Sequence, residues 1–139
     1  MRKTTFETEI FKTPRDRERG ELALALYLDV LFKLDIAYLR DYPETPAIYQ
    51  AGVRYKAEPL GFEKWKDIPV IMTDGHGDCE DLACWLAAEM VVKRGMNVKP
   101  AFEKQPTTTP GFSLYHIVVV GPDGFREDPS KKLGMKGRA

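Results

Sequence analysis

The sequence predicts a single α+β domain. Two long helical patterns fall before Gly95, strand-like alternation and turn signals occupy most of the remaining third, and 139 residues suffice for one core but not two. Helices first and an antiparallel sheet afterwards is the order expected of α+β proteins. There are no internal repeats and no long low-complexity tract.

Taken in order, "TTFETEIFK" (Thr4–Lys12) alternates polar and apolar residues, as a short strand or ordered arm would. Pro14 and Asp16 then precede a long helix that begins near Arg17 or Glu21 and ends before Pro43. Leu24, Leu28, Phe32, Ile36 and Leu39 form one apolar stripe on it, with Asp29, Lys33 and Arg40 opposite. Leu22, Leu26, Val30 and Leu34 widen the apolar arc. The Leu22–Leu39 helix is therefore either wrapped by protein or available to a partner, and it is the candidate surface for an oligomer. Asp35 falls inside the stripe. Because an unpaired buried charge is costly, a slight turn of the helix that exposes Asp35 is favoured over a buried hydrogen-bonding anchor.

From Asp41 to Asp74 the prolines at 43, 46, 59 and 69, with Gly52 and Gly61, break every long period, so short helical turns and loops are expected, suited to the wall of a cleft. A second long helix runs from about Cys79 to Arg94. Asp78 is its N-cap, Glu80 and Asp81 complement the dipole in its first turn, and Gly95 ends it. Then come a weak strand "NVKPAF", a polar loop "EKQPTTTPGFS", a strong strand "LYHIVVV", the turn "GPDG", a short strand "FREDP" and a loosely held tail, residues 131–139.

Lys and Arg together number 21, as do Asp and Glu, and the charges are interspersed, which excludes a broad basic field and disfavours nucleic acid as a partner. The first dozen residues lack the apolar core of a signal peptide, and Asp29, Lys33 and Asp35 interrupt the greasiest stretch. A soluble, cytoplasmic protein with no membrane partner is expected. Cys79 and Cys84, five apart in one helix, point about 140° apart, so a disulfide between them is strained out and free thiols in a reducing compartment are expected.

Cys79 opens the second helix, where unpaired N–H groups and the positive dipole end stabilise a thiolate. Asp78, Glu80 and Asp81 oppose this unless they turn away to cap the helix or pair with basic groups, so a cationic histidine has to outweigh them. The chain has two histidines, His76 and His116. His116 lies in an otherwise apolar strand, where by itself it reads as a core imidazole. The hairpin after it changes its weight. Pro122-Asp123-Gly124 fits a type I turn followed by a left-handed glycine, a three-residue loop. Gly121 then pairs with Phe125 and Val118 with Asp128, which makes His116 and Asp128 diagonal neighbours on one face. A two-residue loop would turn Asp128 away.

"GDCEDLACW", then "YHIVVV", then "EDPS" resembles the Cys–His–Asp core of the transglutaminase-like superfamily, within the broader papain-like fold: Gly-x-Cys at a helix start, His on a strand, Asp-Pro on the next. The resemblance spans about residues 68–130 of the single 1–139 domain, and the upstream "IYQAGVRYKAE" with Trp65 is similar to small transglutaminase-like proteins of bacteriophage. It implies N-terminal helices and a nucleophile helix packed on a small antiparallel sheet. It implies Cys79 as nucleophile, His116 as general base and then acid, and Asp128 as orienting carboxylate. The Cys79 N–H would be the first oxyanion donor, with Trp65 or Gln50 as candidates for the second. His76 reads as a loop residue or substrate contact.

No cofactor and no metal is implied. A zinc site from His76, Cys79, Cys84 and His116 has suitable ligand types, but one helix aims the two thiols apart. Cys84 reads as a small buried apolar residue, Asp123 as a turn residue, Gln105–Ser113 as a loop that either borders the cleft or is plain surface, and Tyr49, Tyr55 and Trp85 as core aromatics before groove residues. The expected activity is thiol acyl transfer on a protein or peptide substrate. Hydrolysis of a peptide, isopeptide or related amide is favoured, with Gln–Lys transamidation as the alternative. A non-enzymatic assembly protein of a virion is the competing class, supported by the apolar helix; a phage-encoded chain would act in the host cytoplasm or the virion.

Overall fold

The computed structural model describes residues 3–9, 17–57, 62–105 and 114–136. The Gln105–Ser113 loop beyond its first residue, and the last three residues of the tail, lie outside these ranges. The architecture is α+β. Helix α1 (Arg17–Asp41) and helix α3 (Cys79–Arg94) pack on each other and on an antiparallel sheet of strands β5 (Lys99–Gln105), β6 (Leu114–Val120) and β7 (Arg126–Glu127), in the order β5-β6-β7. Strand β1 (Thr5–Glu9) pairs antiparallel with β3 (Phe62–Lys66), and β2 (Arg54–Tyr55) pairs parallel with β4 (His76–Gly77). Two short helices, α2 (Ile68–Asp74) and α4 (Pro129–Lys132), complete the described elements together with a single 3-10 turn at Ile48–Gln50 and a tight turn at Pro122–Gly124. The sequence marks only turns and loops around "FEKWK"; β3 forms there because β1 supplies its partner.

Helix α3 is the centre of the molecule. Every residue from Glu80 to Met90 is buried, and Leu82, Trp85, Leu86 and Met90 are essentially sealed from solvent. Each such side chain contributes about 1.5–3 kcal/mol of transfer free energy. A helix apolar all round must be covered on all sides; here α1, α4 and the sheet provide the cover. Gly95, in the left-handed region at φ 63°, ends the helix as expected.

Helix α1 begins and stops where the sequence places it but is not wrapped all round. Leu28, Leu31, Phe32 and Leu39 are buried, whereas Leu22, Leu26 and Val30 remain 62%, 58% and 44% exposed. Asp35 corrects the expectation of an exposed carboxylate. It is fully buried, and its Oδ1 accepts the Ile68 N–H at 3.0 Å. One of the orphan N–H groups at the start of α2 thereby finds an acceptor from another helix, and Asp67 accepts the Val70 N–H at 3.3 Å as the N-cap.

The hairpin keeps the expected register by a different turn. Gly121 donates its N–H to the Phe125 carbonyl at 3.0 Å, and Val120 pairs with Arg126 and Val119 with Glu127. Asp123 itself is left-handed (φ 61°, ψ 30°), as is Gly124 (φ 78°), and the Phe125 N–H reaches the Pro122 carbonyl at 3.3 Å. This is the type I′ combination that Asp-Gly favours rather than a type I turn. The chain after Asp128 also departs from the loose tail read in the sequence: Lys131 and Lys132 belong to α4, Tyr55 donates to the Leu133 carbonyl at 3.0 Å, and Met135 to the Ser130 carbonyl at 2.8 Å. Among the described residues, no helix is long and apolar enough to cross a membrane.

Candidate functional site

The start of α3 is shaped by a reciprocal cap. Asp81 is fully buried and turned inward: its Oδ2 accepts the Asp78 N–H at 3.0 Å and its Oδ1 the Lys66 N–H at 2.8 Å. Gly77 permits this, because a Cβ there would lie 3.0 Å from the Asp81 Cβ and 3.3 Å from its Oδ2. The two residues form a steric pair that holds the approach to Cys79. Burial pushes the Asp81 carboxyl well above its ordinary range, against the lowering effect of its two backbone donors.

Cys79 is half-buried with a free thiol. Strand β7 is only two residues long and pairs with β6 at Val119 and Val120, so among the described residues the β6 edge before them has no strand partner on that side. The backbone N–H of Ile117, the residue after His116 on β6, favours the thiolate form of Cys79. The thiol itself donates to Glu80 Oε2 at 3.4 Å. Burial first, then the charges of Glu80 and Asp78, push the thiol well above its ordinary pKa, so the resting sulfur is protonated. The helix dipole does not prevail at this end, because the carboxylates are not all turned away.

His116 is buried on β6, and its Nε2 meets Asp128 Oδ2 at 2.6 Å. With Nε2 committed to the carboxylate, the neutral ring carries its proton there and Nδ1 remains as the acceptor. Asp128 is also the N-cap of α4, accepting the Lys131 N–H at 3.3 Å through Oδ1. The fork from Arg126 to Glu103, two contacts of 2.8 Å, ties β7 to β5 across the central strand and holds the short β7 in register.

The other candidates occupy varied settings. The Cys79 N–H expected to serve an oxyanion donates to Asp78 Oδ1 at 2.6 Å, so that donor is occupied. Trp65 is buried, packs on Tyr27 of α1 with ring centroids 5.5 Å apart, and its indole N–H has no acceptor among the described residues. Gln50 is exposed at the end of the 3-10 turn that Glu89 Oε1 anchors through the Ile48 N–H at 2.8 Å. His76 is half-buried; the buried Lys66 ammonium lies 3.3 Å from its Nδ1 and 3.1 Å from Asp74 Oδ2. Cys84 is sealed in the core with its sulfur 3.6 Å from the Leu28 carbonyl, facing α1 while Cys79 faces β6. Trp85 is core, and Tyr49 is partly exposed with its hydroxyl on Glu127 Oε2 at 2.6 Å.

Among the described residues, Asp78, Cys79 and Glu80 place ligand-type atoms within 4.8 Å of one another. The carboxylate of Asp78 accepts the Cys79 N–H and that of Glu80 the thiol. Neither Glu80's turn toward the sulfur nor the Lys66–Asp74–His76 cluster was legible in the sequence. The Asp-x-x-Asp spacing of Asp78 and Asp81 is the signal from which the inward cap was readable.

Compared with known proteins, the chain matches no family model, no curated protein and no solved structure.

Proposed function

We propose that the protein is a thiol-dependent acyl-transfer enzyme with a papain-like, transglutaminase-like core in which Cys79 is the nucleophile, His116 the base and Asp128 its orienting carboxylate. The observation that carries this reading is the buried 2.6 Å contact between His116 Nε2 and Asp128 Oδ2, on the strand against which the Cys79 sulfur lies. A carboxylate on one ring nitrogen leaves the other to take the thiol proton, and it stabilises the imidazolium that results. Attack on an amide carbonyl then gives a tetrahedral oxyanion. Trp65, whose buried indole N–H has no partner among the described residues, is the favoured donor to it. His116 returns the proton to the leaving amine, and water hydrolyses the thioester. Hydrolysis of a peptide, isopeptide or related amide is the favoured outcome; transamidation shares every step up to the acyl-enzyme and differs in the acceptor.

The test is acylation by p-nitrophenyl acetate, a small acyl donor that needs no substrate groove. Wild type is expected to release p-nitrophenol in a burst of about one equivalent, with the acetyl group located on Cys79 by mass spectrometry. Cys79→Ser and His116→Ala are expected to abolish the burst. A burst unchanged by His116→Ala would defeat the reading.

A second reading, an assembly or interaction protein, is favoured by the exposed Leu22, Leu26 and Val30 stripe on α1. Molecular mass measured across a concentration series tests it. A stable oligomer that Leu26→Glu dissociates is the expected result under that reading.

A further inference from the structure

We propose that Glu80 is a positioning residue that holds Cys79 as a protonated thiol in the resting protein, and that the nucleophile forms when this hydrogen bond breaks and the proton passes to His116. The proposal rests on the Cys79–His116–Asp128 reading and adds a resting state to it.

Carboxylates are common in the first turn of a helix because they complement the dipole, and there they stay in water. Glu80 does not. It is 3% exposed, and its Oε2 lies 3.4 Å from the Cys79 sulfur. Dipole complementarity does not account for the burial of a carboxylate, which is costly; a proton donor at its oxygen offsets part of that cost, and the thiol is such a donor. Two acceptors then compete for one proton. In the resting arrangement the S–H bond points to Glu80 Oε2. In the active one the S–H bond breaks, its electron pair stays on sulfur, and a new N–H bond forms at His116 Nδ1, giving a thiolate and an imidazolium. Glu80 is a carboxylate before and after, and it must swing from the sulfur, because two negative groups at that separation repel strongly in a poorly solvated site.

The charged groups around the sulfur leave this role to Glu80. Asp78, at the same helix end, accepts the Cys79 N–H. Asp81 is turned to the Lys66 and Asp78 amides. On β6, Ile117 offers an N–H and His116 is backed by Asp128 from the start of α4. From β3 and β4, the Lys66 ammonium and the His76 ring engage each other, with Asp74 on the ammonium.

The experiment is the pH profile of iodoacetamide alkylation of Cys79 in the full chain, located by mass spectrometry, for wild type, Glu80→Gln, Glu80→Met and His116→Ala. Cys84, sealed in the core, is alkylated only in a variant that unfolds, so folding is read from the same spectra. With Glu80→Gln the alkylation midpoint is expected to fall by about one pH unit or more, which is about tenfold faster labelling at neutral pH; Glu80→Met serves equally if the glutamine variant exposes Cys84. Midpoints within about 0.3 of wild type in the folded Glu80 variants, with His116→Ala still changing the profile, overturn the role of Glu80 and leave the Cys–His pair standing. A shift in the Glu80 variants with no response to His116→Ala overturns the proton transfer together with the catalytic reading.

Discussion

His116 and Asp128, 12 positions apart in the sequence, meet at 2.6 Å through Nε2 and Oδ2 with both side chains buried. The other carboxylate oxygen caps α4 at the Lys131 N–H. One side chain therefore orients the imidazole and starts the helix that closes the chain over α3.

The two roles of Asp128 separate in the Asp128→Asn variant. Asparagine is as good an N-cap as aspartate, so stability is expected to change by less than about 1 kcal/mol. Its amide would donate to Nε2 and place the ring proton on Nδ1, the wrong nitrogen for a base. The p-nitrophenyl acetate burst rate is expected to fall about 10²- to 10⁴-fold. An unchanged rate would reduce Asp128 to a cap.

Asp35 makes the protein's stability depend on pH. Burial holds its carboxyl well above the ordinary range, and Oδ2 has no partner among the described residues, so the folded state binds the proton more tightly than the unfolded chain. Its contribution is complete below the unfolded value of about 3.9 and is lost as pH rises through the higher folded value. Asparagine keeps an acceptor for the Ile68 N–H without the charge. In urea melts, Asp35→Asn is expected to gain on wild type by about 1–3 kcal/mol at pH 7 and to lose that advantage toward pH 4. An equal difference at both pH values would count against the buried charge as the cause.

Gly75 and Gly77 bracket His76 and should fail for different reasons. Gly75, at φ 82° with open space around it, resists alanine through its left-handed backbone alone, a cost of about 1–2 kcal/mol. A Cβ at Gly77 would strike Asp81 at 3.0 Å, an overpacking cost of about 1–3 kcal/mol. Both are expected to lower the urea midpoint, but only Gly77→Ala is expected to alter the alkylation rate of Cys79, because only it disturbs the cap that places the thiol. Equal alkylation rates in the two variants would show that the cap does not control the sulfur.

Local chemistry is what the sequence carries. Pro43, Gly95 and the Asp78 cap are written in residues whose backbone preferences act within a turn, and α1 and α3 end where those residues say. The His116–Asp128 contact was legible for the same reason, since a hairpin loop of three residues sets a register whatever surrounds it, even though the turn proved to be type I′. Side-chain direction and burial depend on what arrives from elsewhere in the chain. Asp35 is buried because the Ile68 N–H, 33 residues away, needs an acceptor. Trp65 stands in a strand because β1 pairs with it. The Cys79 N–H and thiol are occupied because Asp78 and Glu80 turn inward. Sequence alone thus determined where α1 and α3 begin and end and the register that brings Asp128 to His116. Tertiary packing decided the protonation of the thiol and the partners of Cys79, His116 and Asp128, because desolvation and long-range hydrogen bonds exist only once the core has closed around them.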